Sequence, residues 1–324
     1  MANEPTIAVL LPCYNEESTI GKVVDDFRRE LPEATIYVFD NNSADATARV
    51  AAEHGAAVIH EPRQGKGYVI ERMFAEVVAD IYVMTDGDDT YPAESVHELL
   101  KPVRAGRADM AVGARLSECE STSFRPLHVA GNGLVKGLIN RIFGTRLTDI
   151  LSGYRVFSRR VVERIPIVSS GFEVETELTI HMLYYKLTIV EVQVPYRGRP
   201  EGSQSKLRTF RDGFRVLWKL FNLARALKPL TFFGLLGIVL FLLGVAAGLP
   251  PVIGYVESGY REVRRFPLAI LATGLMLLSA GSVFLGLILH AMNWRFKELH
   301  NVLVRGQQQV GMHADEDRPP RMFT

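Results

Sequence analysis

Cysteine is almost absent from this chain: its 324 residues hold only Cys13 and Cys119. That number and spacing make neither a disulfide framework nor a metal-spaced pair. The small stapled secreted folds and the zinc modules are thereby excluded, and a reducing compartment is expected. Net charge is nearly absent too, at +1, so the chain is no general binder of polyanions and nucleic acid is not an expected partner. The opening Met1-Ala2-Asn3-Glu4 lacks the basic, then apolar, pattern of a secretory signal. No internal repeat is visible. The length exceeds what one compact core usually holds, so two structural units are expected.

Charge is missing altogether from two long stretches, Phe232 to Ile253 and Phe266 to Leu289. At 1.5 Å per residue each spans roughly 33–36 Å as a helix, enough to cross a hydrocarbon core of ~30 Å. Soluble helices rarely stay uncharged that long, so two transmembrane helices are predicted. Gly244-x-x-x-Gly248 and Ser282-x-x-x-Gly286 are small-residue pairs of the kind that let such helices approach. Lys206, Arg208, Arg211, Arg215, Lys219, Arg225 and Lys228 precede the first span, and Arg295, Lys297 and Arg305 follow the second. The connecting loop sets Arg261, Arg264 and Arg265 against Glu257 and Glu262. The basic bias places both termini and the large N-terminal region in the cytosol, beneath the cytoplasmic membrane.

That N-terminal region reads differently. Apolar runs at Ile7–Leu11, Ile36–Phe39, Ala57–Ile59, Ile81–Met84 and Met110–Val112 alternate with helical stretches that begin near Ser18, Ala44 and Gly67. Near-continuous apolar strands between helices predict a mainly parallel α/β sheet covered on both faces. In such sheets ligands sit beyond the carboxyl ends of the strands. The polar clusters fall there: Asn15-Glu16, Asp40-Asn41-Asn42-Ser43 and Asp86-Gly87-Asp88-Asp89. Carboxylates crowded at the end of a buried strand repel one another, so a cation is expected among them. Mg²⁺ or Mn²⁺ takes oxygen ligands of this kind and shares its shell with a diphosphate. A solvated, Asp-rich turn is the alternative.

Taken in order, Pro12-Cys13-Tyr14-Asn15-Glu16, Asp40-Asn41-Asn42-Ser43, Arg63-Gln64-Gly65-Lys66-Gly67, the acidic cluster, Asp149-Ile150-Leu151-Ser152-Gly153-Tyr154-Arg155 and Arg199-Pro200-Glu201-Gly202-Ser203-Gln204-Ser205-Lys206 resemble glycosyltransferase family 2. That group is nucleotide-sugar-dependent and has a GT-A (Rossmann-like) fold. With two spans following, the chain looks like the polyprenyl-phosphate branch, of the dolichol-phosphate mannose synthase type. The resemblance covers about residues 5–230. It implies a GT-A domain over residues 1–205, an amphipathic juxtamembrane helix over 206–228, a two-helix transmembrane region over 229–291 and a cytoplasmic tail over 292–324.

The same resemblance implies roles. Asp86 and Asp88 would hold the metal. Asp40 would accept a hydrogen bond from the nucleobase, unless it caps the following helix, a position Ser43 can fill instead. Pro12, Tyr14 and Glu16 would line the nucleoside pocket, Glu16 being also a candidate cap near Ser18. Lys66 between glycines would bring a positive charge to the nucleotide. Arg115 and Arg125 would bind the acceptor phosphate, and Arg199 and Lys206 would clamp the diphosphate or the acceptor. Asp149, Arg155, Glu175 and Glu177 fall in matching motifs, where structural ion pairs explain them equally well; Asp149 is the acid to test as a base. Thr90 sits where relatives place another metal ligand, but its hydroxyl is a weak one. Asp89 is either a solvated neighbour or a further functional acid.

A phosphate monoester is already ionised near neutrality, its second pKa being about 6, so direct in-line attack with inversion and no covalent intermediate is expected. The predicted reaction is transfer of one hexosyl or N-acetylhexosaminyl unit from a nucleoside diphosphate sugar, UDP favoured over GDP, to a polyprenyl phosphate. Another membrane lipid as acceptor, or a non-catalytic nucleotide-sugar-binding scaffold, is the alternative. Leu207, Phe210, Phe214, Leu217, Phe221 and Ala224 form one apolar face amid basic residues, the pattern of a helix lying in the headgroup plane. Relatives suggest a homo-oligomer. The tail after Gln307, with Asp315-Glu316-Asp317 and Pro319-Pro320, reads as disordered.

Overall fold

The structure is a computed structural model that describes residues 4–115, 126–171, 173–198, 218, 221–222, 225–263 and 265–316. Arg125, Arg199, Lys206 and nearly all of the expected amphipathic helix lie outside the described residues. Contacts divide the chain into one unit over Met1–Leu220 and a second over Phe221–Thr324.

The first unit is a seven-stranded sheet. Its elements run β1 (Ile7–Cys13), α1 (Ile20–Glu30), β2 (Thr35–Asp40), α2 (Thr47–Glu53), β3 (Ala57–His60), α3 (Lys66–Glu76), β4 (Ile81–Met84), α4 (Val96–Arg104), β5 (Met110–Arg115), α5 (Pro126–Phe143), β6 (Arg155–Ser158), α6 (Arg159–Arg164), α7 (Val174–Tyr184) and β7 (Ile189–Val194). The strand order is β3-β2-β1-β4-β6-β5-β7. Every pairing is parallel except those of β6, which runs antiparallel between β4 and β5. This is the mainly parallel sheet that the alternating pattern predicts, in the GT-A form that the family resemblance implies.

β1 shows why its sequence is apolar throughout rather than alternating. Successive side chains of a strand point to opposite faces, and here both faces are buried. Ile7, Val9 and Leu11 join α1 and α4 in one core, whereas Ala8 and Leu10 join α3 and α7 in the other. β6 and β7 are not among the runs that composition singles out. β6 has only 4 residues and opens on an arginine, while β7 alternates with Glu191 and Gln193 at the sheet edge. The helices begin later than expected, α1 at Ile20 and α2 at Thr47. The N–H of Thr47 is taken by the Asp45 carboxylate at 3.0 Å, so neither Asp40 nor Ser43 caps α2.

In the second unit, α8 (Pro229–Glu257) and α9 (Phe266–Glu316) pack against each other. Within Pro229–Glu257 and Phe266–Phe296 the most apolar 18-residue windows reach mean hydropathies of 2.6 and 2.1. Their large side chains point outward: Leu242 is 60% exposed, Leu277 70% and Phe284 66%. A helix pair that exposes this much hydrocarbon fits membrane spans, not a soluble core. Between the helices, Ser279 Oγ donates to the Gly237 carbonyl at 2.7 Å and Ser282 Oγ to that of Phe233 at 2.9 Å. Gly244, Gly248 and Gly286 lie on the same contact face. α9 continues to Glu316, which corrects the expectation of disorder for residues 308–316; Asp317 and Pro319-Pro320 lie outside the described residues. No proline interrupts the chain between Pro267 and Pro319, so the helical hydrogen bonds can run on to that point.

One packing contact in the first unit leaves no room for a side chain. A Cβ on Gly67 would sit 1.8 Å from the Ser169 carbonyl oxygen, a backbone atom. Gly67→Ala is expected to cost about 2 kcal/mol or more by overpacking, and so to lower the melting temperature by roughly 4–8 °C. Gly133→Ala, in α5 with nothing within 4 Å of its Cβ, should leave it level or slightly higher. Equal melting temperatures for the two variants would contradict this packing.

Candidate active site

The carboxyl ends of β1, β2 and β4 meet at one edge of the sheet. Register places Cys13 beside Asp40, and β4, which ends at Met84, leads through Thr85 into Asp86. Side chain and backbone of the first two loops interlock. Asn15 N donates to Ser43 Oγ at 2.9 Å, and Asn15 Oδ1 accepts from Ala44 N at 2.8 Å. Asn15, Asn42 and Asp89 all have left-handed backbones, with φ of 54°, 63° and 57°. Such conformations are uncommon outside glycine and gather at functional sites.

The acids converge around Cys13. Its thiol is pushed well above the ordinary range, by burial first and then by the carboxylates of Glu16, Asp40, Asp86 and Asp88. Asp88 is only 3% exposed, and its Oδ1 accepts from Thr90 Oγ1 at 2.6 Å. Thr90 thus orients Asp88. Asp89 turns away and pairs with Lys22 at 2.7 Å. Glu16 is buried, and its backbone carbonyl, not its carboxylate, takes the N–H groups of Thr19 and Ile20 at the start of α1. Asp40 presents two unlike oxygens. Oδ2 lies 3.1 Å from His60 Nδ1 and 3.4 Å from Ser43 N, whereas the buried Oδ1 has no partner among the described residues. An unpaired buried acceptor is costly, and a ligand N–H is the group it lacks. Tyr14 is exposed beside this edge.

Lys66 is a cation within reach of the acids. Its ammonium lies 2.6 Å from Asp86 and 2.6 Å from Glu175. Burial alone would lower its pKa, but attraction to Asp86 and then Glu175 outweighs that and raises it above the ordinary value. The loop carrying it is pinned by Asn41, whose Nδ2 donates to the carbonyls of Glu61 at 3.1 Å and Arg63 at 2.8 Å, while its Oδ1 accepts from Gly65 N at 2.8 Å. Asn41 is a positioning residue that the sequence motif contained without revealing its use.

Asp86 and Asp88 offer hard carboxylate oxygens, and no third His, Cys, Asp or Glu among the described residues completes a cage with them. Two protein carboxylates with open positions suit Mg²⁺ or Mn²⁺ that shares its shell with a diphosphate. The residues fit such an ion.

Arg115 ends β5 and is held by Asp149. Nε and Nη2 donate to the two carboxylate oxygens at 2.7 and 3.0 Å, and the guanidinium lies 5.4 Å from the centre of the Tyr196 ring. Burial disfavours both charges, yet the fork of hydrogen bonds holds Asp149 below its ordinary pKa and Arg115 above its own. Asp149 is therefore the ionised partner of Arg115, an arrangement that gives it no spare basicity. Nη1 is the edge of Arg115 not committed to Asp149. Arg155 is fully buried and bonds to carbonyls rather than to a ligand surface. Glu177 accepts the N–H groups of Val168 and Ser169 at 3.2 and 2.7 Å, which makes it structural.

Because Asp149 is lowered, its contribution to stability is fully present above its unfolded pKa of about 4 and is lost as pH falls through the folded value. The melting-temperature deficit of Asp149→Asn against the parent should stay constant from pH 8 to about 5 and narrow only below ~4. A deficit that narrows already between pH 7 and about 6 would contradict the ion pair.

A family model described as "Glycosyl transferase family 2" matches residues 8–166. The chain is 32% identical over 238 residues to the glycosyltransferase AglJ of Haloferax volcanii, covering 73% of this chain and 78% of the relative. It is 31% identical to a dolichyl-phosphate hexose transferase of the same organism, covering 65% of this chain and 90% of that protein. Among solved structures, glucosyl-3-phosphoglycerate synthase of Mycobacterium tuberculosis, in complex with Mn²⁺, UDP-glucose and glycerol 3-phosphate, superposes with a TM-score of 0.53 at 26% identity, covering 67% of this chain and 80% of that one. The sheet order, the acids gathered at its carboxyl edge and these likenesses agree: the chain belongs to glycosyltransferase family 2.

Proposed function

We propose that this glycosyltransferase moves one sugar from a nucleoside diphosphate sugar, UDP favoured over GDP, to a polyprenyl phosphate at the cytoplasmic face of a membrane, with inversion at the anomeric carbon. The observation that carries the reading is the pairing of unlike charges at one sheet edge: an acid cluster built for a metal-bound diphosphate, and a fixed arginine suited to a phosphate monoester. The names of the dolichyl-phosphate relative and the UDP-glucose complex support it, and so do the two apolar helices.

In this reading Asp86 and Asp88 hold Mg²⁺ or Mn²⁺, which supplies charge stabilisation for the leaving diphosphate. Lys66 adds a positive charge beside Asp86. The unpaired Oδ1 of Asp40 accepts an N–H of the nucleobase, with Pro12, Tyr14 and Glu16 lining the nucleoside pocket. Arg115 presents Nη1 to the acceptor phosphate while Asp149 fixes the plane of its guanidinium, and Arg125, Arg199 and Lys206 join the phosphate-binding set. A dianionic acceptor brings its own nucleophile, so positioning and charge stabilisation suffice and no side chain has to take a proton. The basic residues of the sequence between Lys206 and Lys228 favour a negatively charged lipid surface, where only the acceptor's headgroup has to leave the bilayer. The basic flanks of α8 and α9 keep both termini cytosolic.

Purified full-length protein with Mn²⁺, undecaprenyl phosphate and a panel of labelled UDP and GDP sugars should yield a labelled organic-soluble lipid with one donor. Asp88→Asn should lower that rate by about 100-fold or more with an unchanged melting temperature. No labelled lipid with any donor, or full activity in Asp88→Asn, would contradict the proposal.

A further inference from the structure

The loop from Thr148 to Gly153, which joins α5 to β6, touches both halves of the site. It belongs to no ladder, and charged side chains hold its backbone instead. On one side, the Glu191 carboxylate on β7 accepts the N–H of Asp149 at 2.8 Å, the N–H of Thr148 at 2.8 Å to each oxygen, and the Thr148 hydroxyl at 3.0 Å. On the other, the buried guanidinium of Arg155 donates to the carbonyls of Ile150 at 2.6 Å and Ser152 at 2.9 Å, and to Thr179 Oγ1 at 3.1 Å. An acid therefore takes the loop's donors, and a base takes its acceptors.

The far end of the loop lies against the acid cluster. A Cβ on Gly153 would meet Asp86 Oδ2 at 2.5 Å, and Gly153 N donates to the hydroxyl of Tyr91 at 3.3 Å. The near end carries Asp149, which forks onto Arg115. Bidentate pairing fixes the plane of a guanidinium, so the direction of Nη1 is set by where Asp149 stands. Asp149 stands where its own N–H and that of Thr148 are held.

We infer that Glu191 is a positioning residue for the acceptor half of the site. Through Thr148 and Asp149 it fixes the orientation in which Arg115 meets a phosphate monoester. The inference rests on the reading of Arg115 given above. Among the described residues no hydrogen bond or ion pair joins the Glu191 side chain to Arg115 or to the acid cluster, so its carboxylate acts on Arg115 through the loop. Displacement of a binding group by a fraction of an ångström weakens a fork-shaped contact steeply, whereas the donor side, held by Asn41, Thr90 and Lys66, is left as it was.

The test is calorimetric binding of farnesyl phosphate, and separately of UDP with Mn²⁺, to the full-length chain in detergent. Glu191→Ala should weaken farnesyl phosphate binding about tenfold and leave UDP binding unchanged. Glu191→Gln keeps a carbonyl oxygen for the two N–H groups and should bind farnesyl phosphate within about threefold of the parent. A filler of the sheet edge alone predicts a lower melting temperature with no difference between the two ligands. Unchanged farnesyl phosphate binding in Glu191→Ala, or Glu191→Gln as weak as Glu191→Ala, overturns the inference. Arg115→Lys separates the two levels. If it binds farnesyl phosphate as well as the parent, or if the parent binds none, the acceptor reading of Arg115 itself falls. If Arg115→Lys weakens binding and Glu191→Ala does not, only the role of Glu191 falls.

Discussion

Like charges held close together at the end of a buried sheet are the constraint on which this site depends. Glu16, Asp40, Asp86 and Asp88 lie close enough to Cys13 to raise its thiol, and Glu175 adds a further carboxylate on the far side of Lys66. In a medium less polarisable than water such a cluster persists only if cations offset it. Lys66 supplies one within hydrogen-bond distance of Asp86 and Glu175. In the proposed reaction Asp86 and Asp88 would hold a divalent ion, which would supply the remaining positive charge beside a diphosphate.

The other sign of charge is handled differently. Arg115 is not left as a loose surface cation. It is forked by Asp149 and lies beside Tyr196, so the plane of its guanidinium is fixed. Arg155 shows the limit of that strategy: fully buried, it bonds to carbonyls and a hydroxyl, burial lowers its pKa, and its work is to hold a loop. Both arginines belong to one unit of the chain. The apolar helices α8 and α9 belong to the other, where the hydrogen bonds of Ser279 and Ser282 hold the pair together.

Much of this was legible in the sequence because it follows from burial. Strands apolar on both faces, such as β1, declare themselves in composition, and so do two stretches without charge. The acids at the ends of β2 and β4 were readable for the same reason, since polar groups stand out where apolar runs stop. β6 and β7 were not, because a short strand headed by a buried arginine and an edge strand with Glu191 and Gln193 break the apolar pattern. Asp40 is free of the α2 cap, as its reading as a base acceptor requires, but Ser43 does not fill that place either; Asp40, Ser43 and Asp45 are similar cappers by residue type and only geometry distinguishes them. Asn41 and Glu191 could not be found from spacing, as their partners are backbone groups from distant loops. No residue pattern records such contacts.

The central claim is that Asp86 and Asp88 share one divalent cation with the diphosphate of the donor. Electron paramagnetic resonance of Mn²⁺ on the full-length chain, with and without UDP, tests it most directly. The account predicts weak Mn²⁺ binding alone, much tighter binding with UDP, phosphorus hyperfine coupling in that complex, and loss of the tight state in Asp86→Asn and Asp88→Asn. Mn²⁺ that binds equally well without UDP, or that keeps its phosphorus coupling and affinity when both aspartates are replaced, would contradict it.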